Sequence, residues 1–338
     1  MGETNQTLDE IDRALSVAFG PQHTSWSIAK VSDANEGRGV FSRVLRAELE
    51  WNNPDHHPGP TPSSVIIKLP AVDGNGAVGR QTGAYEREAL AYRSVLPSSP
   101  VAYPQPFSVL TNDNRATTLV LEDVGSTVPG FRRTDQLDGM SETDAMTVAE
   151  SLARFHRYWE QSDRWAAVDV RQAPATGFDP AALQRGFEIL EPRWGDILGS
   201  DEIKAFERLL DRRDDLLDDY AAQPRTTLCH GDPRADNLTF DKTNRPVLFD
   251  WQQLAISFGA ADLAWLTTTS LTVTDRRHIE ADLVAGYGTD MATYRHGIVL
   301  PGLAVLLLAQ RETASPRATR FVATSLHRIA SAVTDLLS

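Results

Sequence analysis

Residues 228–240 read LCHGDPRADNLTF. Apolar residues close both ends, and His230, Asp232, Arg234, Asp236 and Asn237 crowd between them. Groups of this kind lose their water when the flanks are buried, so each needs a partner or a task. D-P and D-N pairs favour turns whatever their function. The spacing H-x-D-x-x-x-x-N adds something a turn does not need: a carboxylate and, five residues on, a neutral oxygen ligand on one short polar loop.

That spacing is the one in which Asp accepts a hydroxyl proton and Asn holds magnesium during phosphoryl transfer. The next segment supplies a second oxygen ligand. In PVLFDWQQL, Asp250 ends an apolar run thirteen residues after Asn237, and a carboxylate at the end of a strand suits a hard cation. Asp262, in AADLAW, is a third acidic residue in apolar surroundings, and the preferred reading is a helix cap or an Asp bonded to loop backbone.

Such a site also needs a grip on phosphates. GRGVFSRV places Gly37, Gly39, Ser42 and Val44 as G-x-G-x-x-S-x-V, a glycine loop with Ser at its third glycine. Two turn glycines in a β-hairpin would give the same letters. Downstream, VIIK ends in Lys68, which matches the strand lysine that pairs the α- and β-phosphates. A helical partner for Lys68 comes from AYEREALAYRSV. Glu86 and Glu88 lie about 200° apart on a helix, so one alone can face inward. Glu88 shares its side with Ala84, Ala91 and Tyr92 and is the choice; Glu86 is the fallback, and Arg87 would pair either at the surface. A literal G-x-G-x-x-G stands at Gly74, Gly76 and Gly79, but no strand ending in an acidic residue follows where a dinucleotide site requires one. GNGAVG is read as a flexible connection.

Outward from these motifs, the chain divides by character. The 338 residues are too many for one ordinary core. VFSRVLRAELEW and SVIIKLP read as strands joined by a long hairpin loop at 52–64, and TTLVLEDV as another strand. SETDAMTVAESLARFHRYWEQ has a helical stripe with Ser141 and Asp144 as a capping pair, and 180–220 and 275–335 are helical in pattern. Near the N-terminus, Thr7 with Glu10 predicts a capping box, Leu8, Ile11 and Leu15 a stripe, and Gly20 a stop. The apolar stretch at 298–309 is short and holds Pro301 and Gly302, which predicts a buried helix. The fold class is α+β.

Net charge is -13. That balance argues against a nucleic-acid backbone or an anionic membrane as partner. One cysteine, Cys229, excludes an internal disulfide, and the polar N-terminus lacks a signal-peptide core. The expected setting is the cytoplasm.

Together these pieces resemble the aminoglycoside phosphotransferase and choline kinase-like superfamily over roughly residues 30–290. EREALAY, LVLEDV and FDWQQLAISFGAADLAWL are most similar to its ecdysteroid kinase-like branch. The resemblance implies a protein-kinase-like bilobal fold: residues 1–121 as a strand-rich N-lobe with an N-terminal helix, 122–127 as a hinge, and 128–338 as a helical C-lobe. It implies ATP (or GTP) and Mg2+ as cofactors and a hydroxylated small molecule as acceptor. Asp232 would be the catalytic base, and Asn237 and Asp250 the metal ligands. Lys68, aimed by Glu88, would hold phosphates under the loop of Gly37, Gly39, Ser42 and Val44. Backbone groups near Glu122 and Val124 would take adenine, and His230 would brace the loop. Gly231 stands where protein kinases carry Arg, eleven residues separate Asp250 from Asp262, and no A-P-E follows. Trp159, Trp165, Trp194, Trp251 and Trp265 are candidates for an acceptor pocket or for core. Two other classes fit parts of the pattern: a catalytically silent nucleotide-binding module, and a thiol enzyme using Cys229.

Overall fold

The computed structural model describes residues 2–21, 25–34, 42–52, 54–57, 59–72, 74–125, 131–160, 165, 168, 170, 178–311, 313 and 315–337. Two compact units result: residues 1–132 with 240–253, and residues 133–239 with 254–338.

The first unit is built on strands β1 (Trp26–Asp33), β2 (Ser42–Trp51), β3 (Ser64–Pro70), β4 (Pro106–Thr111) and β5 (Thr117–Glu122). They form one antiparallel sheet in the order β1-β2-β3-β5-β4. β2 and β3 make the predicted long-looped hairpin. Successive side chains of a strand face opposite sides, and β3 shows the consequence. Val65, Ile67 and Leu69 pack on helix α1 (Gly2–Phe19) through Ile11, Ala14, Leu15 and Phe19. Lys68 therefore faces the other side, in register with Val44 on β2 and Leu119 on β5.

Three expectations fail in this unit. α1 begins at Gly2, so Thr7 lies inside the helix and is not its N-cap. Thr7 Oγ1 accepts from Arg43, and Glu10 accepts from Thr118 Oγ1 at 2.8 Å; tertiary partners take the groups that the local pattern assigned to a cap. Leu8, placed on the stripe, is 47% exposed. GNGAVG is no flexible connection. It starts helix α2 (Gly74–Thr82), and its glycines serve close packing: a Cβ at Gly76 would stand 1.9 Å from the Ala71 carbonyl oxygen, and one at Gly79 2.9 Å from the Tyr85 ring.

Helix α3 (Ala84–Leu90) follows and continues as helical turns to Ser98. It buries Tyr85, Glu88 and Ala89. The short strand Pro246–Leu248 is tied to the segment after α3, since Leu248 N donates to Ala102 O at 2.9 Å. Asp250 and Trp251 come directly after it.

The second unit is mostly helical: α4 (Glu142–Trp159), α5 (Pro180–Glu188), α6 (Leu190–Trp194), α7 (Ser200–Asp211), α8 (Arg213–Ala222), α9 (Ala260–Ser270), α10 (Val273–Tyr287), α11 (Met291–His296), α12 (Val299–Ala309) and α13 (Pro316–Leu337). Ser141 caps α4, its hydroxyl accepting from Asp144 N at 3.2 Å. The apolar stripe Ala145, Val148, Ala149, Leu152, Phe155 and Trp159 is buried. α12 is the buried helix expected at 298–309, with Val299, Leu303, Leu306 and Ala309 fully enclosed. Pro301 sits in its first turn, where the missing N–H costs no helical bond. The stretch 291–309 has the length and hydropathy of a membrane span, and half of it is buried within the protein. Buried charge is neutralised locally: Arg276 donates to Glu280 at 3.0 Å and also pairs with Asp335.

Candidate active site

The first unit gathers Lys68, Glu88 and Asp250. Lys68 Nζ donates to Glu88 Oε1 at 2.7 Å and to Asp250 Oδ1 at 2.8 Å. Gln252 Nε2 donates to the other oxygen of Glu88 at 3.2 Å and to Ser42 Oγ at 2.8 Å. Arg87 Nε donates to the Gln252 carbonyl at 2.8 Å; the arginine read as a surface partner fixes the backbone beyond Asp250 instead. Glu86 pairs with Arg115 at the surface, which leaves Glu88 as the inward glutamate. Burial alone would lower the Lys68 ammonium, but the Asp250 and Glu88 carboxylates outweigh it and hold it above its ordinary value. Burial pushes the Glu88 carboxyl up against the pull of Lys68.

Asp250 differs from its two neighbours in access. Its side chain is 32% exposed, against 10% for Lys68 and 3% for Glu88. Its φ is 64°, a left-handed conformation that Asp tolerates better than most residues and that marks strained functional positions. Trp251 is fully buried, its Nε1 donating to Leu248 O at 3.3 Å, and anchors the strained turn.

Gly37 and Gly39 lie outside the described residues. Ser42 and Val44 are placed: Val44 opposite Lys68, and Ser42 buried with its hydroxyl on Gln252. Glu122 and Val124 line a cavity of about 650 Å³ with Tyr103, Gln105, Phe131 and Arg245. The Glu122 carboxylate turns to Gln105 N at 3.2 Å. Between them Asp123, unremarked in the sequence, is buried and binds Ser64 Oγ at 2.8 Å and Arg46 at 2.7 Å.

The second unit holds the loop 230–237. It leaves the strand Thr227–Cys229, which pairs with Ala255–Ser257. Gly231 has φ 83°, so a side chain there would strain the turn. Asp262, at the start of α9, accepts from His230 N at 2.6 Å and Gly231 N at 2.8 Å. It is thus the Asp bonded to loop backbone that the sequence favoured. His156 on α4 contacts Asp262 Oδ2 through Nε2 at 3.0 Å and Tyr287 OH through Nδ1 at 2.5 Å. His230 is buried, and its Nδ1 accepts from Asp232 N at 3.3 Å.

Asp232 is held at both oxygens. Asn237 Nδ2 donates to Oδ2 at 2.9 Å and also to the Asp232 carbonyl, and Trp265 Nε1 donates to Oδ1 at 2.7 Å. Arg234 stands 3.6 Å from Oδ2. With its amide nitrogen engaged, Asn237 has its oxygen to offer a cation. Among the tryptophans, Trp159, Trp194 and Trp251 are core, and Trp265 reaches Asp232. Sequence reasoning missed Gln252 and His156; D-W-Q carried a signal for the first, and His156 carried none beyond a histidine on an apolar helix.

The ligand-capable atoms of His156, Cys229 and Asp262 lie within 4.8 Å of one another. Each is already hydrogen-bonded: Cys229 Sγ donates to Phe258 O at 3.5 Å, and Asp262 serves two backbone amides and His156. Burial pushes the Cys229 thiol well up, away from the thiolate a nucleophile requires.

A profile of the phosphotransferase enzyme family matches residues 81–296, well over half of the chain. No curated protein matches the sequence in direct comparison. Among solved structures, the chain is similar to a microcompartment-associated aminopropanol kinase (15% identity, TM-score 0.60, covering 96% of this chain and 95% of that one). It is similar to a spectinomycin phosphotransferase in complex with ADP and spectinomycin (14%, 0.59, 96% and 98%). It is also similar to a choline kinase from Streptococcus pneumoniae (17%, 0.56, 96% and 99%). At such identities the likeness is one of fold, and the fold is the kinase-like α+β class expected from the motifs. The chain belongs to the phosphotransferase enzyme family and is a small-molecule kinase.

Proposed function

We propose that the chain transfers the γ-phosphoryl group of ATP, or of GTP, to a hydroxyl of a small molecule, with magnesium as cofactor. Asp232 supports this reading most directly: a largely buried carboxylate, fixed at both oxygens, on a loop that also presents an amide oxygen at Asn237. In the reaction, Asp232 takes the proton of the acceptor hydroxyl. The acceptor oxygen bonds to the γ-phosphorus, the bond from that phosphorus to the bridging oxygen breaks, and ADP leaves with the electron pair. Asp250 and Asn237 would be the magnesium ligands, each offering oxygen of the kind that cation prefers. When bound, magnesium neutralises charge on the phosphates.

Lys68, aimed by Glu88, holds the phosphates, covered by the segment of Gly37, Gly39, Ser42 and Val44. Backbone groups at Glu122 and Val124 receive the base. On this reading, residues 1–121 serve the nucleotide, 122–127 are the hinge, and 128–338 carry the catalytic loop and the acceptor pocket. EREALAY, LVLEDV and D-W-Q support the ecdysteroid kinase-like branch. The acceptor would be an aminoglycoside-like compound, another natural product, a sterol-like alcohol or a sugar, received by the helical second unit. The single, buried cysteine agrees with a cytoplasmic protein. The test is a panel of small alcohols incubated with ATP and magnesium and read by mass spectrometry. A phosphate ester on one or more of them is expected. Efficient phosphorylation of generic peptides, with no alcohol accepted, would overturn the proposal.

A further inference from the structure

Trp265 Nε1 donates to Asp232 Oδ1, and the proposed reaction gives that bond no role of its own. Indole nitrogen is a donor only, so the 2.7 Å contact with Oδ1 places an N–H on the carboxylate. Trp265 stands on α9 three residues after Asp262, and residues at i and i+3 share a helix face. One helix thus holds the loop twice. Asp262 fixes the backbone at His230 and Gly231, and Trp265 fixes the carboxylate two residues on. With Asn237 on Oδ2, the carboxylate can neither rotate about its own plane nor swing toward Arg234 without losing a bond.

We infer that Trp265 is a positioning residue: its indole N–H sets the orientation in which Asp232 meets the acceptor hydroxyl. The inference rests on the reading of Asp232 as the base. The ring is not fully buried, which agrees with a residue beside a reacting group, whereas the core tryptophans Trp194 and Trp251 are enclosed. A base misplaced by even about 1 Å costs turnover while leaving nucleotide binding alone.

The experiment uses the full chain and magnesium-dependent hydrolysis of ATP to ADP and phosphate, in which water is the acceptor. Trp265→Phe keeps an aromatic ring and removes the donor. We expect kcat to fall roughly tenfold to a hundredfold, with KM for MgATP within about twofold. Trp265→His, which keeps a ring N–H, should retain more activity than Trp265→Phe. In an Asp232→Asn background, Trp265→Phe should cost nothing further, because the carboxylate it orients is gone. Unchanged kcat in Trp265→Phe, or losses that multiply in the double variant, would overturn the inference. A different result, Asp232→Asn alone keeping most of its turnover, would instead sink the reading of Asp232. Calorimetric MgATP binding by every variant reports folding independently of turnover.

Discussion

Around Lys68 the side chains hold one another by charge; the hydrogen bonds to the Asp232 carboxylate come from the neutral donors Asn237 and Trp265, with Arg234 3.6 Å away. The ammonium of Lys68 satisfies Glu88 and Asp250 at once, so on the proposed reading a triphosphate with its metal would take Asp250 from it. Glu88 stays, supported by Gln252. Asp232 needs no such exchange: Asn237, Trp265 and, through the backbone, Asp262 set it before any substrate arrives. On the proposed reading, the first cluster would hand a carboxylate over and the second would keep one still. Substitutions in the first should therefore appear in nucleotide affinity, and those in the second in turnover.

The largest effect is expected at Asp232. Asp232→Asn preserves size and both neighbouring donors, and steady-state assays should show turnover lowered roughly 100- to 10,000-fold, the scale of a lost general base. Retention of most of the turnover would merge the two clusters into one binding device.

Lys68→Ala should weaken MgATP binding about ten- to a hundredfold, since bonds to charged groups are worth about 1.5–3 kcal/mol. Glu88→Gln should be milder, and the double variant should lose no more than Lys68→Ala, because Glu88 acts by aiming Lys68. Calorimetry that found independent, additive losses would separate the two residues.

Asp262→Asn puts an amide where two backbone N–H groups and His156 converge. One orphaned buried donor costs about 1–3 kcal/mol, which should appear as a lower midpoint in denaturant unfolding together with reduced turnover and unchanged MgATP affinity. Reduced affinity with normal turnover would contradict the division of labour.

At the small end, Ser141→Ala removes the cap of α4, the helix that carries His156. A cap is worth about 1 kcal/mol, so unfolding should shift by that amount and turnover should hold. A large loss of turnover would mean that the brace at His156 depends on the far end of its helix.

Much of the site was legible because it is local. H-x-D-x-x-x-x-N lies on one loop, and helical spacing alone separates Glu86, which meets Arg115, from Glu88, which meets Lys68. Strand alternation separates Lys68 from the face that packs on α1. The illegible part is long-range or competitive. Trp265 reaches Asp232 across 33 positions, and no spacing rule connects an indole to a carboxylate at that distance. α2 was hidden because three glycines read as a loop, whereas at Gly76 and Gly79 a Cβ would meet Ala71 and Tyr85, so the helix carries glycine there despite its poor propensity. α1 was misjudged at its start because Thr7 and Glu10 satisfy the capping pattern while bonding Arg43 and Thr118.

The division between the clusters is tested most directly by titrating MgATP, and adenosine beside it, into Asp250→Asn and Asp232→Asn. Asparagine is the right replacement at Asp250, because it tolerates the φ of 64° that alanine would not. The account predicts that Asp232→Asn binds MgATP within about threefold of the unaltered chain. Asp250→Asn should lose the magnesium-dependent part of its affinity and still bind adenosine, as expected when a ligand to the phosphate-bridging metal is removed. Unchanged MgATP affinity in Asp250→Asn, or its loss in Asp232→Asn, would contradict it.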